Sequence, residues 1–171
     1  MSEYIKGPAR VMDPEEGDSY WQPAPHKGYM TIKMGPGVAG DPDPGFAFGI
    51  QVLPEGCHVR EHGHARNIEI LFVYEGTGYA EMDGVRKRIG PGSTVVLGQL
   101  VAHTVVNDGD CDMKFAWFFT PAGLDQVVRA MGIPRKQGNE APTTFQRPEN
   151  IGEILSEAGF ATPEQIAAST R

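Results

Sequence analysis

The stretch REHGHARNIEILFVYEG, residues 60–76, decides how this chain is read. It holds two of the chain's five histidines, His62 and His64, one residue apart, and Glu69 opens an apolar run that ends at Gly76. Residues two apart on an extended strand project to one face, so His62 and His64 point together while Gly63 faces away. The segment Ala65-Arg66-Asn67 turns the chain, and Glu69 on the next strand can reach the same space. Further on, VAHTVVN (residues 101–107) alternates so that Val101, His103 and Val105 share a face, which a barrel would fold inward. Three neutral imidazoles and one carboxylate form a mixed nitrogen and oxygen set. Such a set suits Fe(II), Mn(II), Ni(II), Cu(II) or Zn(II) rather than Mg or Ca. A His-x-His pair alone is more often incidental than a metal site, so its surroundings must decide.

Those surroundings are short strands between turn signals. FAFGIQVL precedes Pro54-Glu55-Gly56, TGYAEMDG ends at the favoured hairpin pair Asp83-Gly84, and VRKRIGPG, STVVLG, VAHTVVN and CDMKFAWFFTP follow. This spacing predicts an all-β sandwich or barrel over residues 46–121. Residues 1–45 are broken by Pro8, Pro14, Pro23, Pro25 and Pro36, and only YMTIKM (residues 29–34) alternates like a strand. They read as an irregular arm that wraps the domain itself or a second subunit, closed by the DPDPG break at residues 41–45. Over residues 122–171 the period becomes helical. Leu124, Val127, Val128 and Met131 share one face, as do Ile151, Ile154, Leu155 and Ala158, with Gly132 and Gly159 placed to end the two helices. TPEQ (residues 162–165) reads as a capping box. These helices are expected to pack on the barrel or a partner subunit, as scaffold rather than chemistry.

Position by position, the chain resembles the cupin superfamily. Gly56, His62-Gly63-His64, Glu69 and Gly76 match its first motif in spacing. The second has the form G-x5-P-x-G-x2-H-x3-N and is met by Gly92, His103 and Asn107, while Gly98 and Leu100 replace its internal proline and glycine. That departure puts the loop geometry in doubt, not the ligands. The resemblance, to single-domain metal-binding cupins of the quercetin-dioxygenase-like group, implies a small antiparallel jelly-roll barrel. It also implies a homodimer and one divalent metal held by His62, His64, Glu69 and His103, with iron favoured and Mn, Ni, Zn or Cu as alternatives. The implied activity is a metal-dependent oxygenase acting on a small organic molecule. An isomerase or lyase using the ion as Lewis acid, with Tyr79 or His58 as base, is one alternative. A non-catalytic small-molecule-binding cupin is another.

Beyond the ligands, Arg60 shares the face of His62. It either points inward toward a substrate carboxylate or enolate, or sits at the barrel mouth. His58 is expected at the rim. Gln51 and Tyr79 are further candidates for substrate contact. Phe115, Trp117 and Phe119 alternate with Ala116 and Phe118, so one set faces inward, either as cavity wall, with Trp117 against the substrate, or as core. The formal charge of −7 argues against nucleic acid as a partner, and Arg86-Lys87-Arg88 beside a turn reads as a solvated strand end. Cys57 and Cys111 cannot form a disulfide framework, and neither a signal-like start nor an 18-residue apolar run is present, so no membrane association is expected and a cytoplasmic location is.

Overall fold

Alternating burial along several strands builds two antiparallel sheets around one core. The structure, a computed structural model, describes residues 9–38 and 43–169. Pro8, Asp41 and Pro42 of the expected arm, and Thr170 and Arg171, lie outside the described residues. The strands are β1 (Asp18–Trp21), β2 (Tyr29–Met34), β3 (Ala47–Leu53), β4 (Ile68–Glu75), β5 (Gly78–Met82), β6 (Val85–Ile89), β7 (Thr94–Leu97), β8 (His103–Val106) and β9 (Met113–Thr120). Helix α1 (Leu124–Met131), the short β10 (Ile133–Pro134), α2 (Ile151–Glu157) and α3 (Pro163–Ala167) follow. The larger sheet has the order β10-β1-β2-β3-β9-β4-β7, and the smaller one β6-β5-β8. Residues 58–62 extend the smaller sheet along the other edge of β8, through bridges His58–Val106 and His62–His103.

Strand β9 shows why the core sits between the sheets. Met113, Phe115, Trp117 and Phe119 are all buried, while the residues between them are only partly so. Each of these side chains contributes about 1.5–3 kcal/mol by leaving water. The register sets Gly49 of β3 opposite Trp117, and a Cβ at Gly49 would lie 2.4 Å from the indole. Glycine there makes the hollow that seats the ring. The turn between β5 and β6 has φ of 47° at Asp83 and 77° at Gly84, the left-handed pair that a two-residue hairpin of this twist requires.

The arm wraps its own domain. Strands β1 and β2 pair with each other, and β2 continues onto β3, so much of the expected irregular segment is sheet. The buried Lys33 ammonium donates to the carbonyls of Asp13, Pro14 and Glu16, which fixes the turn leading into β1. Arg129 of α1 bonds Asp125 at 2.7 Å and Asp18 of β1 at 3.1 Å, locking helix to arm. The capping box forms at α3, where Thr162 and Gln165 satisfy each other's backbone N–H groups. Gly159, at φ 93°, follows α2 in the left-handed region; Gly132 does not adopt it, and is small because Tyr20 and the Val128 carbonyl crowd it. No helix among the described residues is long and apolar enough to cross a membrane.

Candidate metal centre

His62 and His64 flank Gly63 at the end of the segment that pairs with β8, Glu69 is the second residue of β4, and His103 opens β8. One ligand atom from each of the four lies within 4.8 Å of every other. His64 Nε2 is 3.2 Å and His103 Nε2 3.3 Å from Glu69 Oε2. Two donors each about 2.1 Å from one ion, at right angles, stand about 3.0 Å apart, so these separations fit neighbouring ligands. The outer nitrogens are also arranged for it. His62 Nδ1 lies 2.8 Å from the Arg60 carbonyl and His103 Nδ1 2.9 Å from that of Val101. A proton on Nδ1 then donates to the carbonyl and leaves the Nε2 lone pair facing the centre. His103 Nε2 is buried with no hydrogen-bond partner. Burial, then the neighbouring His103 and His64, push the His62 imidazole well below its ordinary value and keep it neutral. Burial alone would raise the Glu69 carboxyl; the close His103 and His64 rings outweigh it and hold the group ionised, well below the usual carboxylate range. Lone pairs and a carboxylate converging in a buried space repel one another unless a cation lies between them. The four side chains therefore fit a divalent ion.

The loop before β8 answers the doubt raised by the second motif. Leu100, where the motif has glycine, adopts φ 62°, and its N–H donates to the His64 carbonyl at 2.8 Å. The left-handed turn survives with a side chain that disfavours it. Asn107, fully buried, donates to the carbonyls of Leu53 and Cys111 and closes the far end of β8.

The centre opens onto a cavity of about 450 Å³. Gln51 and Arg60 line it. Arg60 is exposed, and its guanidinium bonds the Ala24 carbonyl at 3.4 Å, which puts it at the mouth. His58 is exposed and outside both the cavity lining and the ligand cluster. Tyr79 does not reach the cavity: Ala80 takes the inward face of β5, so Tyr79 points away, beneath the Arg86 guanidinium at 3.9 Å. Trp117 faces inward but is core, filling the hollow at Gly49, while Phe115 lines the cavity.

A family profile described as a cupin domain matches residues 49–119. Residues 49–119 form a cupin domain. Solved structures agree on the fold. KdgF from a Halomonas species is 21% identical over 69% of this chain and 98% of its own, with a TM-score of 0.57. A predicted oxalate decarboxylase from Thermotoga maritima is 20% identical over 66% of this chain and 99% of its own, with a TM-score of 0.58. A Cupin 2 conserved barrel protein from Salinispora arenicola is 22% identical over 68% and 90%, with a TM-score of 0.50. None of the curated proteins compared with the chain matches it.

The cavity also draws on segments outside residues 49–119. Leu124, Val127, Val128 and Met131 of α1 line it, with Leu155 of α2 and Ile166 of α3, so the helices read as scaffold form part of its wall. Phe160 stacks on His62 with ring centroids 5.3 Å apart and meets His64 edge-on at 4.7 Å. Gln22, His26 and Arg147 line it as well. The apolar periods of α1 and α2 are visible in the sequence, but no local pattern marks Gln22, His26, Arg147 or Phe160 as cavity-facing.

Proposed function

We propose that the chain is a metal-dependent cupin enzyme acting on a small organic molecule, and that its reaction is a non-haem iron oxygenation. The observation that carries this reading is the opening of a three-histidine, one-carboxylate cluster onto a cavity walled largely by Met30, Leu71, Val105, Phe115 and the apolar face of α1. His62, His64, Glu69 and His103 would hold the ion. Iron in that set would supply the redox chemistry dioxygen requires. The protein's own part is positional. The apolar wall keeps bulk water from the reacting atoms, Phe160 covers two of the ligand imidazoles, and Gln51 offers a polar contact to orient the substrate. Oxygen consumption by iron-loaded protein against a panel of enols, flavonols, diketones and thiols tests the oxygenase. Uptake with one class is the expected result; none across the panel overturns it.

A second reading, proton transfer on a Lewis-acid ion by an isomerase or lyase, is favoured by Glu61. This exposed residue borders the same cavity one position before His62, and its carboxylate makes no ion pair among the described residues. Zn or Ni in place of Fe in the purified protein would favour it. Two further expectations belong to this proposal. A cytoplasmic location is supported by two unpaired cysteines, Cys57 buried and Cys111 exposed. A homodimer is supported by exposed Ile68 and Phe72 of β4 and Val96 of the adjacent β7, on the outer face of the larger sheet. A sedimentation mass of a monomer for the unaltered protein would contradict the dimer.

A further inference from the structure

Several polar groups around the cavity lack partners among the described residues. Both ring nitrogens of His26 and Arg147 Nε are buried with no hydrogen bond there, as is the acceptor Gln22 Oε1. Gln22 is 2% and His26 6% exposed, and all three residues line the cavity. Arg60 joins them from the mouth, its guanidinium reaching the Ala24 carbonyl. Neither Arg60 nor Arg147 forms an ion pair with a carboxylate among the described residues, although Arg86, Arg88, Arg129 and Arg135 all do. Glu61 lines the same cavity without approaching either guanidinium to ion-pair distance.

The electrostatics agree with that geometry. Burial lowers the Arg147 guanidinium from its ordinary value, and Arg60 nearby lowers it further. Burial, then Arg147, His58 and Arg60, bring His26 down to about 3. The part of the cavity lining that holds Arg60 and Arg147 therefore carries two guanidinium charges without a carboxylate partner among the described residues. The backbone holds it in that form: Ala24 N–H donates to the Phe145 carbonyl at 3.3 Å, which ties the His26 turn to the segment carrying Arg147. Burying a cation without a counter-charge is costly, and the ready compensation is an anion entering from solution.

We propose that His26, Arg60 and Arg147 form an anion subsite that takes a carboxylate group of the substrate. A carboxylate fits better than a phosphate. Its planar pair of oxygens matches a guanidinium fork, and its single charge meets less repulsion from Glu61 and Glu69, which face the same cavity. The apolar residues Met30, Leu71, Val105 and Phe115 would pack against the hydrocarbon body of the acid. The inference rests on reading this cavity as the substrate site of a metal enzyme, but the subsite uses none of the four ligand residues.

The test is calorimetric titration with benzoate, benzamide and phenylphosphonate, on protein as purified and on protein stripped of metal. Benzoate is expected to bind both forms, and benzamide at least tenfold more weakly. Arg147→Gln and Arg60→Gln should each weaken benzoate at least tenfold while leaving metal content within twofold of the parent protein. Arg60 is exposed, so its variant carries the test if Arg147→Gln fails to fold. Equal binding of benzoate and benzamide, unchanged affinity in the variants, or tighter binding of phenylphosphonate overturns the proposal. Loss of benzoate binding on stripping the metal also overturns it, because the acid then sits on the ion. A parent protein that holds no metal would overturn the metal reading instead, and the titration of the stripped form would still stand.

Discussion

The wall of the cavity that carries His62, His64, Glu69 and His103 and the wall that carries Gln22, His26 and Arg147 are built from different kinds of sequence. The first comes from strands of one barrel, where period-two alternation and the register of β8 against residues 58–62 aim the side chains inward. The second is assembled from a turn before β2 and a stretch between α1 and α2, joined by the backbone bond from Ala24 to Phe145. The barrel wall gathers possible metal ligands, whereas the added wall gathers buried polar groups from segments outside the matched domain.

The largest expected effect lies where the C-terminal segment meets the barrel wall. Phe160, 9% exposed and packed on His62, His64 and Phe119, joins the two. Phe160→Ala is expected to lower unfolding free energy by about 4 kcal/mol in urea, as for large core truncations. A loss below about 1 kcal/mol would show that this segment is energetically separate from the barrel wall. Next comes acid sensitivity of the added wall. His26 titrates at about 3 in the fold against an ordinary value of 6.5. Between those values the unfolded chain takes up a proton that the folded one refuses. The contribution is fully present above 6.5 and is lost as pH falls toward 3. Between pH 7 and pH 4 the parent protein should therefore lose about 3 kcal/mol more stability than His26→Gln. Parallel pH curves for the two would remove His26 from the buried set. The smallest effect belongs to the barrel wall. Leu100→Gly relieves a left-handed residue and should raise stability by about 1 kcal/mol, less what the leucine side chain contributes by packing. A clear destabilisation would show that the side chain outweighs its backbone strain.

Much of the barrel wall is legible in the sequence alone. The spacing from Gly56 to Gly76 and from Gly92 to Asn107 is local, and a period of two fixes which side chains share a face. Asp83-Gly84 and the Thr162 capping box are legible for the same reason, since each is a contact between near neighbours. Tyr79 and Trp117 show the limit. Alternation says that one set of β5 or β9 residues turns inward, but Ala80 takes the inward place on β5, and Gly49 on a distant strand captures the indole. The helices show another. The apolar face of α1 is plain, yet a hydrophobic period names a buried face without naming what it covers, and here it covers a cavity. His26 and Arg147 carry no period at all. Their meeting depends on chain segments more than a hundred residues apart, and only the folded chain brings them together.

Four side chains that share one divalent ion would fix the metal stoichiometry of the chain. Elemental analysis of protein purified without added metal should find about one transition-metal ion per chain, and at least tenfold less in His64→Ala, with both proteins folded by circular dichroism. Equal metal content in the two proteins would show that His64 holds no ion.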